Sequence, residues 1–220
     1  CTKVSSFGNL TYFREENAPE GGPEYCLDGC PKRDTCAFYA PKFYFEHPKA
    51  ESDGLIHAVS TDTDREAVLK ELKTGPYGRC VFRCDNTVVD HQVVNLEFEN
   101  QVTVNMTMCA FTEQCARQIH IMGTGGELRG DMEEGKIEIS DFATGEKETI
   151  RLYTPPTGHS GSDQNMMKDF VHYLREDSAR IRSAASVSVD SHLIALAAEK
   201  SRVEGETVDF KKFRQEIEER

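Results

Sequence analysis

The chain has 220 residues, of which 26 are Lys or Arg and 38 are Asp or Glu, so its formal charge at neutral pH is -12. That length can bury a hydrophobic core without a disulfide scaffold, and that charge would be repelled by a nucleic-acid backbone or an anionic membrane surface. No apolar run is long enough to span a bilayer and no secretory leader pattern opens the sequence, so a cytoplasmic, soluble protein is expected.

The sequence begins at Cys1 and enters at once a run rich in β-branched, aromatic and hydroxyl residues, 2–13, which predicts a strand with a turn near Gly8-Asn9. Such a start is expected of a piece of a longer protein. From Arg14 to Asp53 the pattern is lost: this stretch holds Pro19, Pro23, Pro31, Pro41 and Pro48 together with three cysteines, and reads as an insertion. Asp64 to Lys73 places Ala67, Val68 and Leu72 at helical spacing, and Thr74-Gly75-Pro76 ends that helix. Short β-rich runs follow at Val93–Phe98, Val102–Met108 and Gln118–Met122, with a turn at Asn100-Gln101. Glu127–Gly130, Lys136–Ser140 and Glu148–Leu152 alternate polar and apolar residues, which predicts an antiparallel meander.

Beyond Pro155-Pro156 the period becomes helical. Asp163 to Arg175 puts Met166, Met167, Phe170, Val171 and Leu174 on one stripe, with Ser162 or Asp163 as N-cap. Val187 to Val203 predicts a second helix with Leu193, Ile194, Leu196 and Ala197 on its apolar face and Gly205 at its end. The expected fold is α+β: a large, mainly antiparallel sheet with helices packed on one face. It would occupy 1–209, with an insertion at 14–53 and a charged tail at 210–220.

The densest chemical signal is Cys26-Leu-Asp-Gly-Cys30-Pro-Lys-Arg-Asp-Thr-Cys36, three thiols on a Gly- and Pro-containing loop. Zn²⁺ takes four soft ligands in a tetrahedron, so Cys26, Cys30 and Cys36 are candidate ligands of a structural zinc. Cys84 is the expected fourth ligand, with Cys80 and His47 as alternatives, and an iron–sulfur cluster is the other thiolate centre to consider. Gly123-Thr124-Gly125-Gly126 precedes a strand-like run rather than a helix, so it predicts a hairpin turn and no phosphate cradle. Gly158 to Asp163 lies before a helix and offers a polar small-molecule contact at His159. Asp90-His91 is read either as an acid/base pair or as a structural hydrogen bond.

Two motifs carry a family likeness. Ile119-His-Ile-Met-Gly-Thr-Gly-Gly-Glu-Leu128, followed by the Gly158–Asp163 helix opening and by Ala197-Ala-Glu-Lys-Ser-Arg-Val-Glu-Gly-Glu-Thr-Val208, resembles the C-terminal domain of the Gfo/Idh/MocA oxidoreductases. The resemblance implies a substrate-binding and oligomerisation domain of an NAD(P)-dependent dehydrogenase acting on a sugar, inositol or related polyol. It further implies that the dinucleotide loop and the catalytic Lys and His belong to a Rossmann domain preceding Cys1. By the same likeness Asn9, Tyr12, Thr112, Glu113, His159 and Asp163 are candidate substrate-binding residues, and the open sheet face is the expected surface for a homo-oligomer. The competing readings are an NAD-dependent glycosidase on the same scaffold and a non-catalytic, metal-stapled interaction domain.

Overall fold

A computed structural model describes residues 1–48, 54–153, 161–175 and 185–219. Among these, the strands are β1 (Lys3–Asn9), β2 (His91–Glu97), β3 (Thr103–Cys109), β4 (Gln118–Met122), β5 (Gly126–Asp131), β6 (Lys136–Asp141), β7 (Lys147–Arg151) and β8 (Val208–Asp209). The helices are α1 (Ala40–Phe45), α2 (Leu55–Val59), α3 (Arg65–Thr74), α4 (Ser162–Arg175), α5 (Ala185–Glu204) and α6 (Phe210–Glu218). The α+β class is as expected. The strands fall into two antiparallel sheets of four, ordered β3-β2-β1-β8 and β4-β5-β6-β7. The chain forms two compact units, Cys1–Ala110 with Leu196–Arg220, and Phe111–Ala195.

In the first unit β1 is an inner strand. It pairs with β2 along its whole length, Lys3 opposite Glu97 through Asn9 opposite His91, and with β8 only at Lys3 and Val4. Past Val4 the edge that faced β8 needs other partners for its N–H groups. The buried Ser201 of α5 supplies one: its hydroxyl accepts from the Ser6 N–H at 3.0 Å and donates to the Glu206 carbonyl at 2.6 Å. Leu196, expected on the apolar face, is exposed, whereas Ala197, Ala198 and Ser201 are buried. Small side chains let the helix come close enough for a hydroxyl to reach a strand amide. Gly205 then ends α5 in the left-handed region at φ 71°, with its N–H bonded to the Ser201 carbonyl at 2.9 Å.

The segment expected as a charged tail is a packed helix. Asp209 caps α6 by accepting from the Lys212 N–H, and Phe210 and Phe213 are buried on one side of it. Their spacing of three residues defines an apolar stripe that the charged residues around them obscure in the sequence.

Residues 14–48 are not devoid of a core. Cys26, Ala40, Val68 and Leu72 form a buried cluster against which Leu27, Tyr39, Tyr44, Phe45, Ile56 and Val59 pack. Helix α3 thus turns its expected stripe onto the insertion. Asp64 caps it, accepting from the Glu66 N–H, and Gly75 ends it. Gly78 lies so close to this helix that a Cβ there would stand 1.7 Å from the Leu72 carbonyl oxygen. A second anchor is aromatic: Tyr12 and Phe13, just past β1, meet Phe38 and Phe82 in mostly edge-on or tilted pairs with ring centroids 5.3–6.3 Å apart.

In the second unit Gly123 to Gly126 turns β4 into β5, the Gly123 N–H bonding to the Gly126 carbonyl at 2.9 Å. The alternation puts Ile119, Ile121, Leu128, Ile137, Ile139 and Ile150 on one face of this sheet. Helix α4 begins at Ser162, one residue before the expected start, and Met166, Met167, Phe170, Val171 and Leu174 of its stripe are exposed among the described residues.

Two substitutions test this packing. Leu72→Ala removes a fully buried side chain and should cost about 2–5 kcal/mol in urea unfolding. Ser201→Ala strands the Ser6 N–H and the Glu206 carbonyl and should cost about 1–3 kcal/mol; a loss within error of zero would show that the hydroxyl does not hold the strand.

Candidate substrate-side site

The candidate site in the first unit is built where β1 ends and β2 begins. Asn9 is the last residue of β1, opposite His91. The chain then turns sharply through Leu10 to Tyr12, and Asp90 holds that turn. Its Oδ2 accepts the Thr11 N–H at 2.8 Å and the Tyr12 N–H at 2.7 Å, while Oδ1 accepts the Thr11 hydroxyl at 3.3 Å and faces His91 Nδ1 at 2.7 Å. The Asp90 main chain is equally engaged: its N–H donates to the Asn9 carbonyl at 2.9 Å, and its carbonyl accepts from Ala110 at 2.8 Å. Asn17 closes the other side, its Nδ2 donating to the carbonyls of Thr11 and Tyr12, both at 2.9 Å.

The Asp90 side chain is only 1% exposed. Burial on its own would raise its pKa, but hydrogen bonds from the Tyr12 N–H, His91, and the N–H and hydroxyl of Thr11 outweigh that and hold the carboxyl well below the usual carboxylate range. An ionised carboxylate can only accept, so His91 Nδ1 carries the proton, on a ring that is half-exposed. The structure therefore realises the Asp90-His91 pair as a hydrogen-bonded unit. It orients an imidazole that can exchange a hydrogen bond or a proton with a hydroxyl. The clasp on Thr11 and Tyr12 was not foreseen; an acid just before a strand, opposite a polar turn, is the only sequence sign of it.

The expected substrate-binding residues divide between the units. Asn9 and Tyr12 lie at the clasped turn, with the Asn9 Oδ1 accepting the Leu10 N–H at 3.0 Å. Thr112, Glu113 and Asp163 belong to the second unit: Thr112 Oγ1 donates to the Gln114 carbonyl at 2.9 Å, and Asp163 stands in the first turn of α4. His159 lies outside the described residues. Elsewhere in the second unit His120 Nε2 meets Glu127 Oε2 at 2.8 Å, and Arg129 approaches the same oxygen at 3.5 Å. His192 bonds the Ser188 carbonyl through Nδ1 at 2.7 Å, in keeping with a structural histidine.

Among the expected metal ligands, Cys26 is buried and Cys30, Cys36 and Cys84 are half-buried. The Cys84 thiol donates to the Cys80 carbonyl at 3.3 Å. Among the described residues no three His, Cys, Asp or Glu side chains are gathered as a metal ion requires. The Gly-rich segment 123–126 is a hairpin turn leading into β5, without the helix N-terminus that receives a pyrophosphate. No helix among the described residues is long and apolar enough to cross a membrane.

The clasp predicts an acid response. A carboxyl with a depressed folded-state pKa stabilises the fold above its unfolded value, near 3.9, and that contribution is lost as pH falls through the lower folded value. Asp90→Asn should therefore melt at a lower temperature than the parent at pH 7, and the gap should narrow below about pH 3. A constant gap from pH 7 down to pH 2 would contradict the clasp.

No family model matches the chain, and no curated protein matches it. Solved structures resemble it, two of them as follows. An oxidoreductase domain protein from Kribbella flavida superposes with a TM-score of 0.50 at 16% identity, over 62% of this chain and 40% of that one. A protein from Desulfitobacterium hafniense named as an NADPH-dependent oxidoreductase gives a TM-score of 0.46 at 15% identity, over 60% and 40%. The chain thus spans about two fifths of each solved structure, and the first likeness establishes a fold shared with an oxidoreductase-type domain.

Proposed function

We propose that this chain is the substrate-binding and oligomerisation domain of an NAD(P)-dependent oxidoreductase that acts on a sugar, inositol or related polyol. The observation that carries the reading is the fold shared with the Kribbella flavida oxidoreductase domain protein. The family-like motifs support it in their structural setting. Ile119 to Leu128 is the β4–turn–β5 hairpin, and Ala197 to Val208 is the end of α5, the Gly205 stop and the start of β8.

In this reading the dinucleotide is bound by another domain of the intact protein, and it supplies hydride acceptance when bound. The residues here bind and orient the polyol. A polyol presents several hydroxyls, each able to donate and accept, and is best held by a few fixed polar groups on a rigid frame. Asn9, Tyr12 and His91 belong to the strand ends and the turn that Asp90 holds, and their polar groups are the proposed contacts. Thr112, Glu113, His159 and Asp163 are proposed as polyol contacts on the family likeness alone. Homo-oligomerisation is proposed through β3, where Val104, Met106 and Met108 share one face and are each more than a third exposed.

The test is steady-state turnover by the intact protein with NAD⁺ or NADP⁺ and a panel of inositols and sugars. Net accumulation of the reduced nucleotide is expected, and Asn9→Ala should raise KM on the order of tenfold, the worth of about one neutral hydrogen bond. Sugar release without net redox change would instead support the glycosidase reading. A strictly monomeric sedimentation profile at high protein concentration would refute the β3 interface.

A further inference from the structure

We propose that Cys109 is a site of reversible thiol–disulfide exchange, with His91 as the base that takes its proton and Asp90 as the residue that positions His91. The ladder between β2 and β3 brings the thiol and the imidazole together. His91 stands directly opposite Cys109, so the two side chains share one face of the sheet. On one side of that pair the Ala110 N–H donates to the Asp90 carbonyl at 2.8 Å, and at the far end of the ladder the Phe98 N–H donates to the Val102 carbonyl at 2.9 Å. Bonded and non-bonded positions alternate between these two, which makes His91 and Cys109 a non-hydrogen-bonded pair. In such a pair the facing side chains come closest, with Cα atoms about 4.5 Å apart.

The carboxylate, the ring and the thiol have distinct parts. Asp90 Oδ1 faces His91 Nδ1 at 2.7 Å from a buried, ionised carboxyl, so the Nδ1 proton is committed and Nε2 keeps the basic lone pair. A thiol within reach of that nitrogen can pass its proton to it during attack, the logic of a nucleophile, a base and an orienting carboxylate. Cβ atoms of directly opposed residues lie about 4.5–5.5 Å apart, which puts the Cys109 sulfur within such reach. Cys109 is also approachable: it is half-buried and closes β3, the edge strand of its sheet, so a small reagent can come in beside it without displacing another strand.

Exchange asks less of its surroundings than acyl transfer does, because the charge passes from sulfur to sulfur and no oxyanion has to be held. His91 Nε2 accepts the Cys109 proton, and the Cys109 sulfur attacks one sulfur of a small disulfide. A new S–S bond forms as the reagent's own breaks, and the departing thiolate takes the proton from the imidazolium. Cys109 is thereby oxidised to a mixed disulfide, and the other half of the reagent is reduced to a thiol. The ligand class is a low-molecular-weight disulfide, and a formal charge of -12 favours a neutral or cationic one. Asn9 stands opposite His91 on its other side, so the added group is attached next to two of the proposed polyol contacts. Obstruction of that site by the modification is a consequence that rests on the polyol reading; the exchange itself does not.

The experiment is time-resolved reaction of the intact protein with hydroxyethyl disulfide, a neutral probe, followed by acid quenching and peptide mapping by mass spectrometry, on the parent and on His91→Gln. Two other cysteines serve as internal references: Cys115 is exposed, and the buried Cys26 reports loss of the fold. In the parent, Cys109 should react faster than the more exposed Cys115, on the order of tenfold, and dithiothreitol should restore the thiol. His91→Gln should slow Cys109 by more than about tenfold and leave Cys115 unchanged; lost shielding alone would speed Cys109. Reaction at Cys109 no faster than at Cys115 in the parent would overturn the proposal. So would a smaller slowing in a variant whose Cys26 stays protected. Should the variant expose Cys26, the parent ranking decides. Undiminished polyol turnover by the fully modified protein would overturn the obstruction alone, whereas a parent that turns over no polyol fails the polyol reading and leaves the exchange rates to decide this one.

Discussion

The first unit depends on keeping strand β1 satisfied on both edges. One edge is fully paired by β2, but on the other β8 reaches only Lys3 and Val4. A strand that inner cannot leave amides without partners in a buried setting, where each unmet group costs about 1–3 kcal/mol. The Ser201 hydroxyl extends the pairing from a helix rather than a strand. Because that hydroxyl is short, α5 must lie close, and closeness demands Ala197 and Ala198 where larger residues would stand off. The left-handed Gly205 then lets the chain reverse immediately into β8, so one buried hydrogen bond, one helix face and one turn act together.

The same strand carries the candidate site. With β1 fixed along its length, its end at Asn9 is a fixed point, and Asp90 converts the following turn from a loop into part of the scaffold. A rigid turn suits the proposed polyol binding, since a flexible site would spend affinity on ordering its own side chains. A carboxylate that accepts two amides, a hydroxyl and an imidazole has no capacity left for a ligand, so its role is to position. His91 is the ring it orients.

How much of this could be read from the sequence depends on how local the determinant is. The α3 boundaries follow from Asp64 and Gly75, both adjacent to the helix they end, and β4 follows from the run Gln118–Met122 itself. The Gly123–Gly126 turn is legible for the same reason. Ser201 is different: its partner Ser6 is 195 residues away, and nothing near Ser201 marks it as buried. Asp90 reaches back 78 and 79 residues to Tyr12 and Thr11, so the sequence shows a pair with His91 but not the turn it clasps. Helix α6 is masked by composition, its two buried phenylalanines lying among Lys, Arg and Glu. The division of the strands into two sheets depends on which edges pair, and strand periodicity carries no information about that.

The proposed function puts the polyol at the clasped turn at the end of β1. Hydrogen–deuterium exchange on the intact protein, with and without nicotinamide dinucleotide and a turned-over polyol, tests it most directly. The account predicts slower exchange in peptides covering 9–13 and 89–92 only when the polyol is present. Unchanged exchange in both segments, alongside polyol-dependent slowing elsewhere in the protein, would contradict it.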